Sequence, residues 1–141
     1  MLKNKVEGFS LIELLVVVAI IGTLAAVGTL SYNGYIAGTK VAAAKNTMQQ
    51  IALAQQEYYS INGEYVKTVT SDCGVPGESS KINTDLFDTE SGNKVVDVDG
   101  WEFCIGDHDT GYIVEACKIK DAACDGTRYT LNAKGSNNFN D

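Results

Sequence analysis

The chain has 141 residues, a one-domain length, and carries 18 acidic against 11 basic side chains, a formal net charge of −7. That acidity gives no electrostatic reason to hold nucleic acid, whose phosphates it would repel. No stretch gathers the roughly five to eight basic residues of a local binding patch.

In chain order the first feature is a basic flank, Lys3 and Lys5, followed by a long apolar run. From Leu14 to Thr39 no side chain is charged, and Leu14–Leu30 is apolar almost throughout. At about 1.5 Å per residue a helix over this stretch spans roughly 39 Å, more than a hydrocarbon core of about 30 Å. The run exceeds the roughly 7–15 residues of a secretory signal's apolar region, and no A-x-A-like cleavage site follows it. A membrane span is therefore predicted. Lys3 and Lys5 put its N-terminal flank on the cytoplasmic side and everything from Lys40 onward outside the cytoplasm.

Residues 8–13 read Gly-Phe-Ser-Leu-Ile-Glu and run directly into the apolar stretch. Glycine lets an extended backbone approach a catalytic site closely. Glu13 is a carboxylate at the mouth of a membrane segment, where a charge is penalised unless it has a partner, so it is a functional residue by default. The segment GFSLIELLVVVAIIGTLAAV closely resembles the N-terminus of type IV prepilins and type II secretion pseudopilins. The resemblance implies a leader, Met1–Gly8, removed by a prepilin peptidase between Gly8 and Phe9. It also implies N-methylation of Phe9 and pairing of Glu13 with the N-terminal amine of a neighbouring subunit. The implied partners are other pilin subunits in a homo-polymer, the peptidase/methyltransferase, the assembly platform and, before assembly, the inner membrane.

Beyond the membrane the sequence KVAAAKNTMQQIALAQQEYYSIN is rich in helix formers. Val41, Ala44, Met48, Ile51 and Tyr58 fall on alternating three- and four-residue spacings, with Gln55 in the gap, which predicts one apolar stripe and a polar opposite face. Asn62-Gly63 is a stop signal, so one helix is predicted from about Phe9 to Ile61. Many members of the family carry proline where this chain has Leu30. Here Gly22, Gly28, Gly34 and Gly38 are the weak points, each costing about 1 kcal/mol relative to Ala in a helix interior. Loosening around Gly28–Gly34 is expected in a filament.

Residues 63–141 are polar and rich in Gly, Asp, Asn and Ser. Gly63–Val95 reads as a connecting region with short elements. Trp101–Ile105 and Tyr112–Cys117 read as strands around a turn at Gly106–Gly111, Arg128–Leu131 as a third, and Val95–Val98 as an extension of the first. The fold class is α+β: a long N-terminal helix packed on a small antiparallel sheet, which is also the pilin fold the resemblance implies. The predicted organisation is a leader at 1–8, the membrane and polymerisation half of the helix at 9–38, its amphipathic half at 39–62, and a head at 63–141.

Four cysteines, Cys73, Cys104, Cys117 and Cys124, follow the membrane segment, and an even count in an exported domain reads as two disulfides with three possible connectivities. The resemblance favours Cys117–Cys124, since many pilins close a C-terminal loop, and with it Cys73–Cys104. Zinc is disfavoured: there is no C-x-x-C, and the lone His108 sits in a predicted turn. Asp97, Asp99 and Gly100, with Asp107 and Asp109 nearby, contain part of a calcium loop. The full spacing is absent, and these residues equally populate turns; no metal or other cofactor is expected.

No catalytic motif is present, and a non-enzymatic role is expected. The leading reading is a structural subunit, major or minor, of an extracellular type IV pilus. The alternatives are a pseudopilin of a type II secretion or DNA-uptake apparatus, and a non-polymerising single-pass membrane protein with a small ligand-binding domain.

Overall fold

The structure is a computed structural model that describes residues 8–69, 77–89 and 94–139. Its elements are α1 (Leu11–Asn62), α2 (Glu78–Asp85), β1 (Trp101–His108), β2 (Gly111–Lys120) and β3 (Ala123–Asn132). They belong to two compact units, residues 1–38 and residues 39–141.

In the first unit α1 is helical without interruption, through Gly22, Gly28, Gly34 and Gly38. Nothing in the chain lies within 4 Å of where a Cβ would stand at any of these glycines. The apolar side chains are exposed all round the helix, among them Ile12, Leu15, Val18, Ile21, Leu24 and Leu30. A helix apolar on every face is one that its own fold does not cover.

In the second unit the expected stripe packs on the sheet. Ala44, Met48 and Ile51 are fully buried against the inner sheet face, whose members include Phe103, Ile105, Tyr112, Val114 and Leu131. The helix ends as its sequence predicts: Gly63 takes a left-handed φ of 77°, which glycine adopts without steric cost, and its N–H donates to the Tyr59 carbonyl at 2.8 Å.

The sheet is antiparallel in the order β1-β2-β3. Its strands are longer than the sequence suggests. Gly106, Asp107 and His108 were expected in the turn but pair with Ile113, Tyr112 and Gly111 as the end of β1. A two-residue link, Asp109-Thr110, suffices because Gly111 adopts a φ of 120°. At β2–β3 the link is Asp121-Ala122, both at positive φ as a primed hairpin turn requires.

Val95–Val98 does not extend the first strand, a correction with a clear cause. The amide of Asn83, on α2, captures that segment: its Oδ1 accepts from the Val95 and Val96 N–H groups at 2.9 and 2.8 Å, and its Nδ2 donates to the Val96 carbonyl at 3.0 Å. A side chain thus satisfies backbone groups that a strand partner would otherwise take. The sheet edges are closed similarly. On β1 the Phe103 and Ile105 N–H groups donate to Ser79 Oγ and Thr68 Oγ1. On β3 the Thr130 N–H donates to Asn138 Oδ1, and that of Asn132 to the Ser136 carbonyl. Edges so occupied are poor templates for stray pairing.

Gln55, which filled a gap in the predicted stripe, is fully buried. Its Nε2 donates to the Val66 carbonyl at 2.6 Å and its Oε1 accepts the Val66 N–H at 3.0 Å, so one amide ties the post-helix segment to α1. Gln55→Leu keeps the burial but strands both Val66 groups. It is expected to destabilise the head by about 2–4 kcal/mol, measured by chemical denaturation of the full chain in detergent micelles.

Candidate functional site

The residues that carry the chemistry of the sequence lie at the start of α1. Gly8, Phe9 and Ser10 precede the helix in irregular backbone and are all exposed, Phe9 by 84%. No chain atom lies within 4 Å of a Cβ built on Gly8, and its φ is not in the left-handed region. The fold itself therefore does not require glycine there. The Lys3 and Lys5 flank and the rest of the expected leader lie outside the described residues.

Glu13 sits in the first turn of α1. Ser10 N–H donates to its Oε2 at 2.9 Å, and Glu13 N–H approaches Ser10 Oγ at 3.3 Å. This is a capping box: a serine and a glutamate three residues later each satisfy one of the amides that a helix start leaves without an intrahelical acceptor. The negative carboxylate also opposes the positive end of the helix dipole. The S-x-x-E spacing is legible in the sequence, where Glu13 stands out as a charge at an apolar run and, by resemblance, as a subunit-pairing residue rather than as a helix cap.

The most apolar 18-residue window of α1 meets the length and composition of a membrane span, and none of it is buried within the chain. That separates it from the core helix of a soluble domain, which meets the same criteria while being covered by its own fold.

In the second unit Cys117 and Cys124 are joined, with Cα atoms 5.7 Å apart, across the β2–β3 hairpin. Cys104 is also disulfide-bonded; its expected partner, Cys73, lies outside the described residues. Around the hairpin Arg128 Nη1 is 3.2 Å from Glu115 and Lys118 Nζ is 3.8 Å from Asp125. The Asp125 carboxyl is held below its usual range, chiefly by the Thr127 N–H it accepts.

The aspartates that suggested part of a calcium loop are dispersed. Asp99 pairs with Lys40 at 2.5 Å and Asp107 with Lys67 at 2.7 Å, and each lysine lowers the carboxyl's pKa through the hydrogen bond it donates. Among the described residues no three or more His, Cys, Asp or Glu side chains converge as metal ligands. His108 ends β1, and its Nδ1 accepts the Thr110 N–H at 3.2 Å, a turn contact.

Comparison with known proteins matches residues 3–29 to the prokaryotic N-terminal methylation motif. Residues 31–140, most of the chain, match the family of the type IV minor pilin ComP, DNA uptake sequence receptor. Among individual proteins, the fimbrial protein EcpC of Eikenella corrodens is 37% identical over 86 residues, covering 49% of this chain and 56% of EcpC. The type IV major pilin protein PilE of Neisseria gonorrhoeae is 42% identical over 74 residues, 52% of this chain and 44% of PilE. The type IV major fimbrial protein FimA of Dichelobacter nodosus is 58% identical over 40 residues, 28% of this chain and 25% of FimA. The chain spans about half the length of the first two relatives and less of FimA. No solved structure matches significantly.

Proposed function

We propose that this chain, which belongs to the type IV minor pilin family, is a structural subunit of an extracellular type IV pilus, clipped between Gly8 and Phe9 and polymerised through the first half of α1. The observation that carries this reading is the all-round apolar helix without intrachain cover. Before assembly, lipid would cover it with the N-terminus on the cytoplasmic side; in the filament the same faces would lie against the helices of other subunits. The glycines at 22, 28, 34 and 38 fit close helix approach, since nothing in their own chain touches them.

The glycine at 8 supports processing at that bond. Since the fold does not demand it, the requirement is best placed on an enzyme that must receive the backbone closely, a prepilin peptidase that also methylates the new Phe9 amine. Glu13 supports assembly: once buried among apolar helices its carboxylate needs a positive partner, and the N-terminal amine of a neighbouring Phe9 has the right charge. Gly8→Ser is expected to leave an uncleaved precursor, visible as a single slower band on a denaturing gel; a mature-size band removes the assigned bond. Glu13→Val is expected to keep membrane insertion and processing while reducing sheared filament yield at least tenfold. Normal yield removes the role given to Glu13.

A second reading, DNA contact by the head, is favoured by the description of the matched family as a DNA uptake sequence receptor. A chain of charge −7 can still present basic side chains locally. On this reading Lys118 and Lys120, exposed on β2 beside the disulfide hairpin, are the side chains that would meet phosphate, while Arg128 is engaged with Glu115. Each phosphate-contacting lysine contributes close to one unit to the slope of log affinity against log salt. Lys118→Ala and Lys120→Ala are each expected to reduce that slope by about 0.9 in a titration of the full chain with duplex DNA. Unchanged slopes move the contact elsewhere, and no binding at low salt removes this reading.

A further inference from the structure

Where α1 ends, the head holds a feature that neither processing, polymerisation nor the basic hairpin uses. Tyr59, on the last turns of α1, stacks on Tyr65 with ring centroids 4.4 Å apart and an interplanar angle of 20°. Tyr65 in turn tilts against Tyr112 at 4.9 Å. The lower ring lies on the β1–β2 hairpin at Gly111, where any Cβ would stand 2.6 Å from Tyr65 Cε2. The Gln55 clamp on Val66 fixes the residue next to Tyr65. The stack is therefore held from two sides, yet Tyr59 at its top remains 46% exposed. A held aromatic with an open ring is a surface ready for contact.

Tyr59 and Tyr65, with Tyr58, form one wall of a cavity of about 860 Å3. Its rim carries four carboxylates, Glu64, Asp85, Asp107 and Asp109, against a single lysine, Lys67, already paired with Asp107 at 2.7 Å. An electron-rich ring face beside an excess of negative charge selects an organic cation. Among these, guanidinium combines the planarity to stack on tyrosine with the fork of donors that carboxylates accept. Phosphate-bearing ligands meet repulsion at the same rim. A second copy of this chain is a poor occupant, because its one arginine, Arg128, is engaged with Glu115 at 3.2 Å.

We propose that this cavity is a docking site for an arginine-bearing segment of a basic partner protein, with the guanidinium stacked on Tyr59 and the rim carboxylates accepting its N–H groups. The site lies within the head and is independent of how the first half of α1 is covered.

The test uses the full chain in zwitterionic detergent micelles, titrated with an arginine-rich nonapeptide while tyrosine ring resonances are followed by NMR. A glutamate-rich nonapeptide and a neutral one serve as controls. The expected result is saturable shifts of the Tyr59 and Tyr65 rings with the arginine peptide alone, weakened by added salt. Tyr59→Ala and the double variant Glu64→Gln/Asp109→Asn are expected to raise Kd at least fivefold, whereas Tyr59→Phe, which keeps the ring face, stays within twofold. Both changed surfaces are exposed, and an unchanged far-ultraviolet circular dichroism spectrum shows that the fold is intact. Equal binding by the neutral peptide, unaltered affinity in Tyr59→Ala, or shifts confined to residues outside the cavity overturns the proposal.

Discussion

A helix that is apolar on every face must be covered by something its own chain does not supply. Between Leu11 and Leu30 the large side chains of α1 are exposed on all sides, and no part of the head can be recruited to one side without leaving the others bare. The sequence therefore commits this segment to two successive environments or to one permanent one. A membrane alone meets the solvation requirement but leaves the glycine at 8 and the exposed Phe9 without a purpose, and gives the charge of Glu13 no positive partner. A subunit that passes from lipid into a polymer gives each of them one.

The head meets a complementary constraint. From Thr39 onward α1 must bury one stripe and leave the rest polar, and the small sheet provides only one face against which to do it. Three strands and one helix face make a modest core, and side-chain amides extend it. Gln55 fastens the chain as it leaves α1, Asn83 fastens the segment before β1, and Asn138 fastens the free side of β3. Each substitutes for a missing backbone partner. Lys45 adds a similar clasp for the C-terminal segment: its ammonium lies 4.5 Å from the Tyr129 ring centre and donates to the Phe139 carbonyl. The head is thus held by polar contacts at its margins as much as by apolar burial at its centre.

These two kinds of contact explain what could be read from the sequence. The stripe Ala44, Met48 and Ile51, the Asn62-Gly63 stop, the first part of β1, the middle of β2 and the last part of β3 follow from apolar period and turn chemistry, which are local. Cys117–Cys124 came from the family resemblance. The end of β1 was misread because Gly106-Asp107-His108 has turn composition; pairing across the hairpin, a non-local condition, overrode that composition. Val95–Val98 differs for the reverse reason: its three valines suit a strand, but the amide of Asn83 takes its backbone groups. Nothing in a pattern of apolar residues marks which amide side chain will be buried.

The start of α1 joins the local and non-local arguments. In the lone chain Glu13 has a partner, the Ser10 N–H, and its charge also suits the helix end. The capping box therefore does two things for a residue that must enter an apolar environment: it lessens the cost of carrying the charge there, and it turns the carboxylate back toward residue 9. Under the proposed processing, residue 9 becomes the new terminus, so that orientation aims the acceptor toward the end of the helix where amines arrive. A carboxylate has four lone-pair positions, and the Ser10 N–H occupies one. The cap and an incoming ammonium need not compete. Serine at position 10 and glutamate at position 13 then form one device, in which the helix cap preorganises the charge on which the proposed subunit contact depends.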